Sequence, residues 1–301
     1  MDVTERILGI ILPVFFIITA GYIYARLRGE VVKTHLFSVN RLCVELLSPL
    51  LLFSALAAKD FDLVENLPLM LAGVLIAIGS ACIAWPIARL LGYDARTFVP
   101  PMMYNNCGNM GLPLAVLAFG TAGLSQAVAL FVACSLVYFT LGVRLLESGR
   151  AEGRQSHWNM FATPMMFAML GGIVFAACRW TLPTILLQAL RMIGEASIPL
   201  MLIALGVRMT DMNLRSWRIG LVGALVCPLA GLAIAMMIDP LISLTSVQRG
   251  QMYLFAALPP AVFTFMVAET YKQEPEKVAA IVMLGNLASL LFVPLGLWMG
   301  L

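Results

Sequence analysis

The chain has 301 residues, of which 61% are hydrophobic and 12% charged, with a mean hydropathy of +0.94 and a formal net charge of +3. Soluble domains carry about 25% charged residues, so this composition excludes a protein whose whole surface faces water. The small net charge argues against a nucleic acid partner. Because one bilayer crossing needs roughly 20 apolar residues, the length predicts about ten crossings and leaves no room for a soluble catalytic domain.

Apolar runs separated by charged or Gly/Pro-marked joints predict an all-α membrane protein with ten transmembrane helices. The first run lacks the basic flank and cleavage site of a signal peptide, so we interpret it as a retained helix. The spans are expected near residues 6–26, 35–58, 67–91, 97–118, 123–146, 160–179, 183–208, 214–238, 249–271 and 276–300.

The placement of Lys and Arg predicts the orientation of these spans. Thirteen of the nineteen basic residues fall in odd-numbered loops, and only four lie on the opposite side. Because cytoplasmic loops carry the excess of Lys and Arg, we expect a multi-pass protein of the inner cell membrane with both termini extracytoplasmic. The central loop, residues 147–159, is then a cytoplasmic linker that divides residues 1–146 from residues 160–301.

The two remaining basic residues lie inside predicted spans and begin similar segments, RLCVELLSPLLL at Arg41 and RMIGEASIPLML at Arg191. Each arginine is followed four residues later by a glutamate, Glu45 or Glu195, and eight residues later by a proline. Five spans precede the second half, so its copy enters the membrane from the opposite face. We interpret the halves as inverted five-helix repeats, which recur in secondary transporters; the alternative is a coincidence in Leu-rich sequence.

Span four contains a polar, Gly- and Pro-rich block at what should be bilayer depth. Proline lacks a backbone donor and clashes with the preceding turn, and glycine relaxes the backbone. We therefore predict that the helix breaks and that a half-helix starts near Pro113. Broken backbone inside a membrane requires protein or a water-filled cavity around it, so the block predicts a cavity. Its residues are Asn105, Asn106, Cys107, Gly108, Asn109, Met110, Gly111, Leu112 and Pro113.

The predicted break also indicates a class of ligand. The start of a half-helix presents free N–H groups and a positive dipole end, and three asparagine amides lie beside it, a combination that suits a carboxylate. The alternative is that the asparagines only cap unwound backbone. Span nine is interrupted in a corresponding place by Leu258, Pro259 and Pro260, followed by Thr264. If the repeat holds, the broken helices four and nine cross.

The Arg41/Glu45 and Arg191/Glu195 pairs are a second set of candidates. Four-residue spacing puts each pair on one helix face. An arginine could bind a substrate carboxylate, and a glutamate could carry a proton. The alternatives are a structural ion pair and snorkelling of the arginine toward the interface.

Three single polar residues, Gln126 and Ser135 on span five and Asn286 on span ten, could reach the cavity, although such residues often bridge helices. The sequence has no CxxC pair, no metal-ligand spacing, and no HExxH or Gly-x-Ser-x-Gly motif. We therefore expect no metal, no cofactor and no enzymatic activity.

The order of spans, the NNxGNxGLP block, the Pro-bearing spans two and seven, and the LPP of span nine resemble the auxin efflux carrier family over essentially the whole chain. The resemblance implies a fold shared in outline with bile acid/sodium symporters, in which scaffold and crossover subdomains formed from both halves move in alternating access. Bacterial relatives include malonate and malate permeases, and plant relatives carry indole acetate. By the same resemblance, the substrate site is lined by Asn105, Asn106, Asn109, Pro113, Pro259 and Pro260.

The function expected from the sequence is secondary active transport of a small organic anion, either a mono- or dicarboxylate or an auxin-like weak acid. Alternatives are a sodium-coupled symporter and a non-transporting sensor or channel on the same fold. The sodium symporters place an acid beside the span-nine crossover, whereas here the first acid after Pro260 is Glu269, which argues against that type of coupling. H+ or Na+ as the coupling ion and a homodimer are left open.

Overall fold

The structure is a computed structural model that describes residues 3–58, 61–120, 123–148, 163–211 and 214–301. These residues form helices joined by short turns and contain no β-strand, which confirms the all-α prediction for the described chain. The described α-helices are α1 (Val3–Arg28), α2 (Glu30–Leu42), α3 (Ser48–Leu56), α4 (Leu63–Leu90), α5 (Ala95–Met103), α6 (Leu112–Phe119), α7 (Gly123–Val137), α8 (Val143–Glu147), α9 (Pro164–Ala177), α10 (Thr184–Glu195), α11 (Ser197–Arg208), α12 (Trp217–Ile238), α13 (Ser246–Ala256), α14 (Val262–Thr270) and α15 (Pro275–Gly300).

Within the described ranges, seven helical stretches are long and apolar enough to cross a bilayer, compared with ten predicted spans. Predicted spans four and nine are each divided into two shorter helices, α5 with α6 and α13 with α14. Predicted span six is represented by α9, which has 14 residues. Residues 149–159 of the predicted linker and residues 160–162 of span six lie outside the described residues.

The helices pack in two groups. In the first helix group, α1–α3 and α9–α11, helix α1 packs against α11, and α3 packs against α9 and α10. In the second helix group, α4–α8 and α12–α15, helix α4 packs against α5, α7 and α12, and α15 packs against α12, α13 and α14. Each group takes helices from both halves of the chain, and contacts such as α1 with α11, α3 with α9 and α4 with α12 join the two halves.

Two glycines bring α1 and α11 into backbone contact. A Cβ atom added at Gly206 would lie 1.9 Å from the carbonyl oxygen of Ile18, and one added at Gly21 would lie 2.3 Å from that of Ile203. Small residues permit this kind of close approach between membrane helices. The α1–α11 contact therefore depends on having no side chain at either position.

Gly206→Ala is expected to lower the melting temperature of the purified protein, because overpacking a tight contact costs about 1 to 3 kcal/mol. Gly9→Ala on α1 is the matched control, since a Cβ there meets nothing within 4 Å. Unfolding is followed with a thiol-reactive dye, for which Cys43, Cys107, Cys134 and Cys227 are buried reporters. Equal melting temperatures for the two variants would contradict the close packing.

Candidate functional site

In both divided helices, the helical backbone is interrupted among buried apolar residues in the interior of the molecule. Helix α5 ends at Met103, the backbone of Tyr104 is extended, and helical structure resumes at Cys107. In the second half, α13 ends at Ala256 and α14 begins at Val262. Each break leaves several peptide groups that the helix itself cannot satisfy.

The two breaks satisfy each other's backbone. Asn105 and Pro260 lie opposite one another as an isolated antiparallel bridge. Backbone hydrogen bonds flank it, from the Asn106 N–H to the Pro259 carbonyl (2.7 Å) and from the Ala261 N–H to the Tyr104 carbonyl (2.9 Å). The contact between the two breaks is thus held by main-chain bonds, which specify its geometry independently of side chains.

The half-helix after the first break starts earlier than the sequence predicts. Its backbone is helical from Cys107, as a π-helical turn over Cys107–Gly111, and α6 continues from Leu112 with Pro113 in its first turn. A proline ring clashes with the carbonyl four residues earlier, and the wider π turn relieves that clash. The helix start therefore lies six residues before Pro113.

Two of the predicted asparagines connect this break to neighbouring helices. The Asn105 amide donates to the Phe255 carbonyl at the end of α13 (2.5 Å), and the Asn106 amide donates to Oδ1 of Asn286 on α15 (3.0 Å). The Asn286 amide in turn donates to the Val282 carbonyl (2.7 Å). Asn105 and Asn106 are 6% and 2% exposed, so their amide nitrogens hold the frame of the break.

A cavity of about 450 Å³ lies beside the break, between the two helix groups. The second group contributes Asn105, Asn106, Gly108 and Asn109 to its wall. Gly108 and Asn109 belong to the first turn of the half-helix, where N–H groups have no partner within the helix. The wall therefore includes a positive helix end with an adjacent amide side chain.

The first helix group contributes charge to the same wall through Arg41, Glu45 and Arg208. Nε of Arg41 lies 2.8 Å from Oε1 of Glu45, with side chains 68% and 52% exposed. Two arginines and one glutamate leave these three residues with one net positive charge. The remaining wall is mostly apolar, with residues such as Leu52, Leu112, Phe131, Phe139, Phe263 and Met201.

An aromatic cluster fixes Tyr104, the last residue before the bridge. Its ring stacks on Tyr138 with centroids 4.7 Å apart, and Phe263 packs edge-on against both rings at 6.2 Å. The Tyr104 hydroxyl is hydrogen-bonded to the Ser135 hydroxyl at 3.0 Å. Ser135 thus supports the cavity wall through Tyr104.

The other predicted residues lie behind the wall or away from it. Thr264 is buried and its hydroxyl donates to the Ala261 carbonyl (2.7 Å), while Pro260 packs closely against Gly285. Among described residues, the cavity wall does not include Pro113, Pro259, Pro260, Gly111, Thr264 or Gln126. The second ion pair, Arg191 Nε to Glu195 Oε1, has the same 2.8 Å distance but lies outside this wall.

Sequence reasoning missed four polar wall residues, Asn40, Ser48, Thr163 and Arg208. Arg208 ends α11 and is one of the thirteen basic residues that the sequence assigns to odd-numbered loops, because its position at the end of an apolar run carries no sign of a cavity. Asn40 adjoins Arg41, and Ser48 lies three residues after Glu45. The Arg41/Glu45 pair could therefore have indicated both residues as neighbours of the cavity.

Comparison with known proteins identifies the family. A family model described as "Membrane transport protein" matches residues 6–159 and 153–298. The chain belongs to this membrane transport protein family. The predicted resemblance to the auxin efflux carriers is confirmed at this level, and the chain is a transmembrane transporter by family.

Relatives of full length carry transporter names. A protein of Methanothermobacter thermautotrophicus named "Uncharacterized transporter" is 27% identical, covering 98% of this chain and 97% of the relative. A Methanocaldococcus jannaschii protein, also named an uncharacterized transporter, is 19% identical, covering 97% and 98%. A Rhizobium meliloti protein named "Putative malonate transporter" is 23% identical, covering 94% and 92%.

A polar network joins the start of α5 to the loop after α14 in this transporter. Asp94 caps α5 by accepting from the Arg96 N–H (2.9 Å) and pairs with the Arg96 guanidinium (2.7 Å). Gln273 donates to the Asp94 carboxylate (3.0 Å), and the Thr97 hydroxyl donates to Glu274 (2.6 Å). The hydrogen bonds from the Arg96 guanidinium hold the pKa of Asp94 below its ordinary value.

Asp94→Asn keeps a helix-capping oxygen but removes the charge, so it should lower stability at pH 7 by about 1 kcal/mol or less, as expected for a partly exposed pair. Because folding lowers the pKa of Asp94, its ion pair contributes to the free energy of unfolding fully above the unfolded-state pKa of about 3.9. It is lost as the pH falls through the lower folded-state pKa.

Thermal unfolding of wild type and Asp94→Asn between pH 7 and pH 3 measures this difference. In an Arg96→Gln background the effect of Asp94→Asn should shrink, since the ion pair is already absent. A stability difference that grows toward pH 3 would contradict the assignment.

Proposed function

We propose that this protein is a secondary active transporter that moves a small organic anion across the membrane by alternating access. The observation that carries the proposal is the cavity between the two helix groups, with the first turn of a half-helix on one wall and Arg41 and Arg208 on the other. A cavity between two packed groups can change its exposure when one group moves against the other. Membership of a membrane transport family supports the same conclusion.

The chemistry of the wall supports a carboxylate as the group that is recognised. The N–H groups near Gly108 and Asn109, together with the positive helix dipole, favour an anion. Arg41 or Arg208 can donate a two-pronged pair of hydrogen bonds to a carboxylate. The candidate substrates are mono- and dicarboxylates and auxin-like weak acids, and the name of the Rhizobium meliloti relative includes a dicarboxylate in this set.

We further propose that residues 1–146 and 160–301 are inverted repeats joined by the linker 147–159. Each half contains five described helical stretches in the same order, and the fourth stretch of each is divided. These stretches are α1, α2–α3, α4, α5–α6 and α7–α8 in the first half and α9, α10–α11, α12, α13–α14 and α15 in the second. The Arg41–Glu45 and Arg191–Glu195 pairs have the same 2.8 Å geometry, 150 residues apart. In this scheme the first helix group is the scaffold, and the second is the crossover subdomain with α5/α6 crossing α13/α14.

The ion pair on the cavity wall suggests how a proton could accompany the substrate. A substrate carboxylate that takes the place of Glu45 on Arg41 leaves Glu45 beside a second negative charge. A proton that enters with the substrate would neutralise one of these two negative charges, which are costly to bury together in an apolar cavity. The substrate and one proton would then cross together. Sodium coupling of the bile acid symporter type would require an acid next to Pro260, whereas this scheme does not.

Asn109→Ala should reduce uptake of radiolabelled malonate, or of the best substrate from a carboxylate panel, into proteoliposomes. Loss of a hydrogen bond to a charged group costs about 1.5 to 3 kcal/mol, which corresponds to about a tenfold to hundredfold loss. Thr140→Ala is the control, since its exposed hydroxyl bonds to the Leu136 carbonyl of its own helix (2.6 Å). Undiminished uptake by Asn109→Ala would refute the site, and binding without gradient-driven accumulation in wild type would indicate a sensor.

Glu45→Gln tests the coupling. The amide cannot take up a proton, so uptake by this variant should no longer increase when an inward proton gradient is imposed, whereas substrate exchange without a gradient should continue. Glu195→Gln is the matched control, because it alters the equivalent pair outside the cavity wall. A wild-type response to a sodium gradient and none to a proton gradient would overturn proton coupling.

A further inference from the structure

A second cavity, of about 320 Å³, adjoins the first and lies between α2 and α11 of the first helix group and α14 and α15 of the second. Four residues, Asn40, Leu205, Arg208 and Val262, line both cavities. The two spaces are therefore neighbours that share a wall. We call the smaller one the side cavity.

The side cavity has a polar end and an apolar body. Arg208 and Asn40 are on the shared wall, and the apolar body includes Leu36, Val207, Phe265, Val282 and Met283. A ligand with a carboxylate at each end would have to place one of them among these apolar side chains, and burying an unpaired charge there is strongly unfavourable. The volume is at the lower limit of ligand pockets, which span about 300 to 1,000 Å³. This combination suits a slender molecule with a single anionic end.

We propose that the side cavity is a second binding site, for a medium-chain fatty-acid anion. Its carboxylate binds Arg208 and Asn40, and its alkyl chain lies along α14 and α15. Because these helices face α2 and α11 across the cavity, an occupant contacts both helix groups. The site is separate from the proposed transport site and does not require that this protein transports anything.

Occupation of the side cavity opposes anion binding in the larger cavity. Arg208 lines both cavities, so an anion in the proposed transport site and an anion in the side cavity would compete for it and repel each other. The hydrogen bond between Asn106, on the wall of the larger cavity, and Asn286, on the wall of the side cavity, joins the two spaces at a second point. Such coupling is reciprocal, so each anion weakens the other by the same factor.

Binding of a chain-length series to purified protein in nanodiscs tests the site, with empty nanodiscs as the background. Affinity should rise about fourfold for each methylene from butyrate to decanoate and stop rising once the chain outgrows the cavity. Affinity that keeps rising with chain length in step with the empty nanodiscs would overturn the proposal. Absence of decanoate binding would also overturn it. The proposed transport function is tested separately, by carboxylate uptake into proteoliposomes.

Ala279→Phe fills the side cavity and should lower decanoate affinity at least tenfold. Leu287→Phe adds the same ring to the same helix at a position that is 44% exposed and outside the cavity, so affinity there should be unchanged. Equal affinities in the two variants, each checked for a monodisperse elution profile, would refute the location.

Two further measurements do not depend on the folding of the filled variant. Arg208→Gln should weaken decanoate and leave decanol unchanged, whereas an equal loss for both would contradict recognition of the carboxylate. A photoreactive decanoate should label wild-type peptides that contain residues 36–40, 205–209, 262–265 or 279–286 of the side-cavity wall. Labelling confined to other peptides would overturn the site.

Discussion

Peptide groups inside a bilayer cannot be left without hydrogen-bond partners, and the architecture of this protein depends on how that constraint is met. Each unsatisfied group costs several kcal/mol in hydrocarbon. The two interrupted helices meet there. The backbone hydrogen bonds from Asn106 to Pro259 and from Ala261 to Tyr104 give each break hydrogen-bond partners from the other. A helix end can therefore be placed deep in the molecule, next to a cavity, without a large energetic penalty.

The asparagines at this point divide two tasks that the sequence presents as alternatives. Asn105 and Asn106 are buried and donate to Phe255 and Asn286, which fixes the unwound backbone. Asn109 is half-buried and lies on the cavity wall, in the first turn of the half-helix. In the proposed function, Asn105 and Asn106 would hold the unwound backbone while Asn109 binds the anion.

Local strain from proline also shapes the two cavity walls in the same way. A π-helical turn over Cys107–Gly111 precedes Pro113, and another over Cys43–Leu47 precedes Pro49. Widened turns of this kind are frequent at functional sites. The first turn holds Gly108 and Asn109 and the second holds Glu45, so both widened segments contribute to the cavity. Glycine contacts such as Gly206 on Ile18 then allow the helices around them to pack closely.

The sequence by itself determined the features that arise from short-range effects. Hydropathy specified an all-helical membrane protein, proline and glycine specified where helices are interrupted, and four-residue spacing specified the Arg41–Glu45 pair. Only the tertiary structure decided that the two interruptions pair through Asn105 and Pro260, that the half-helix starts at Cys107, and that Arg208 and Thr163 reach the same wall as Asn109. These depend on packing between segments far apart in the chain, whose contacts leave no periodic signal in either segment alone.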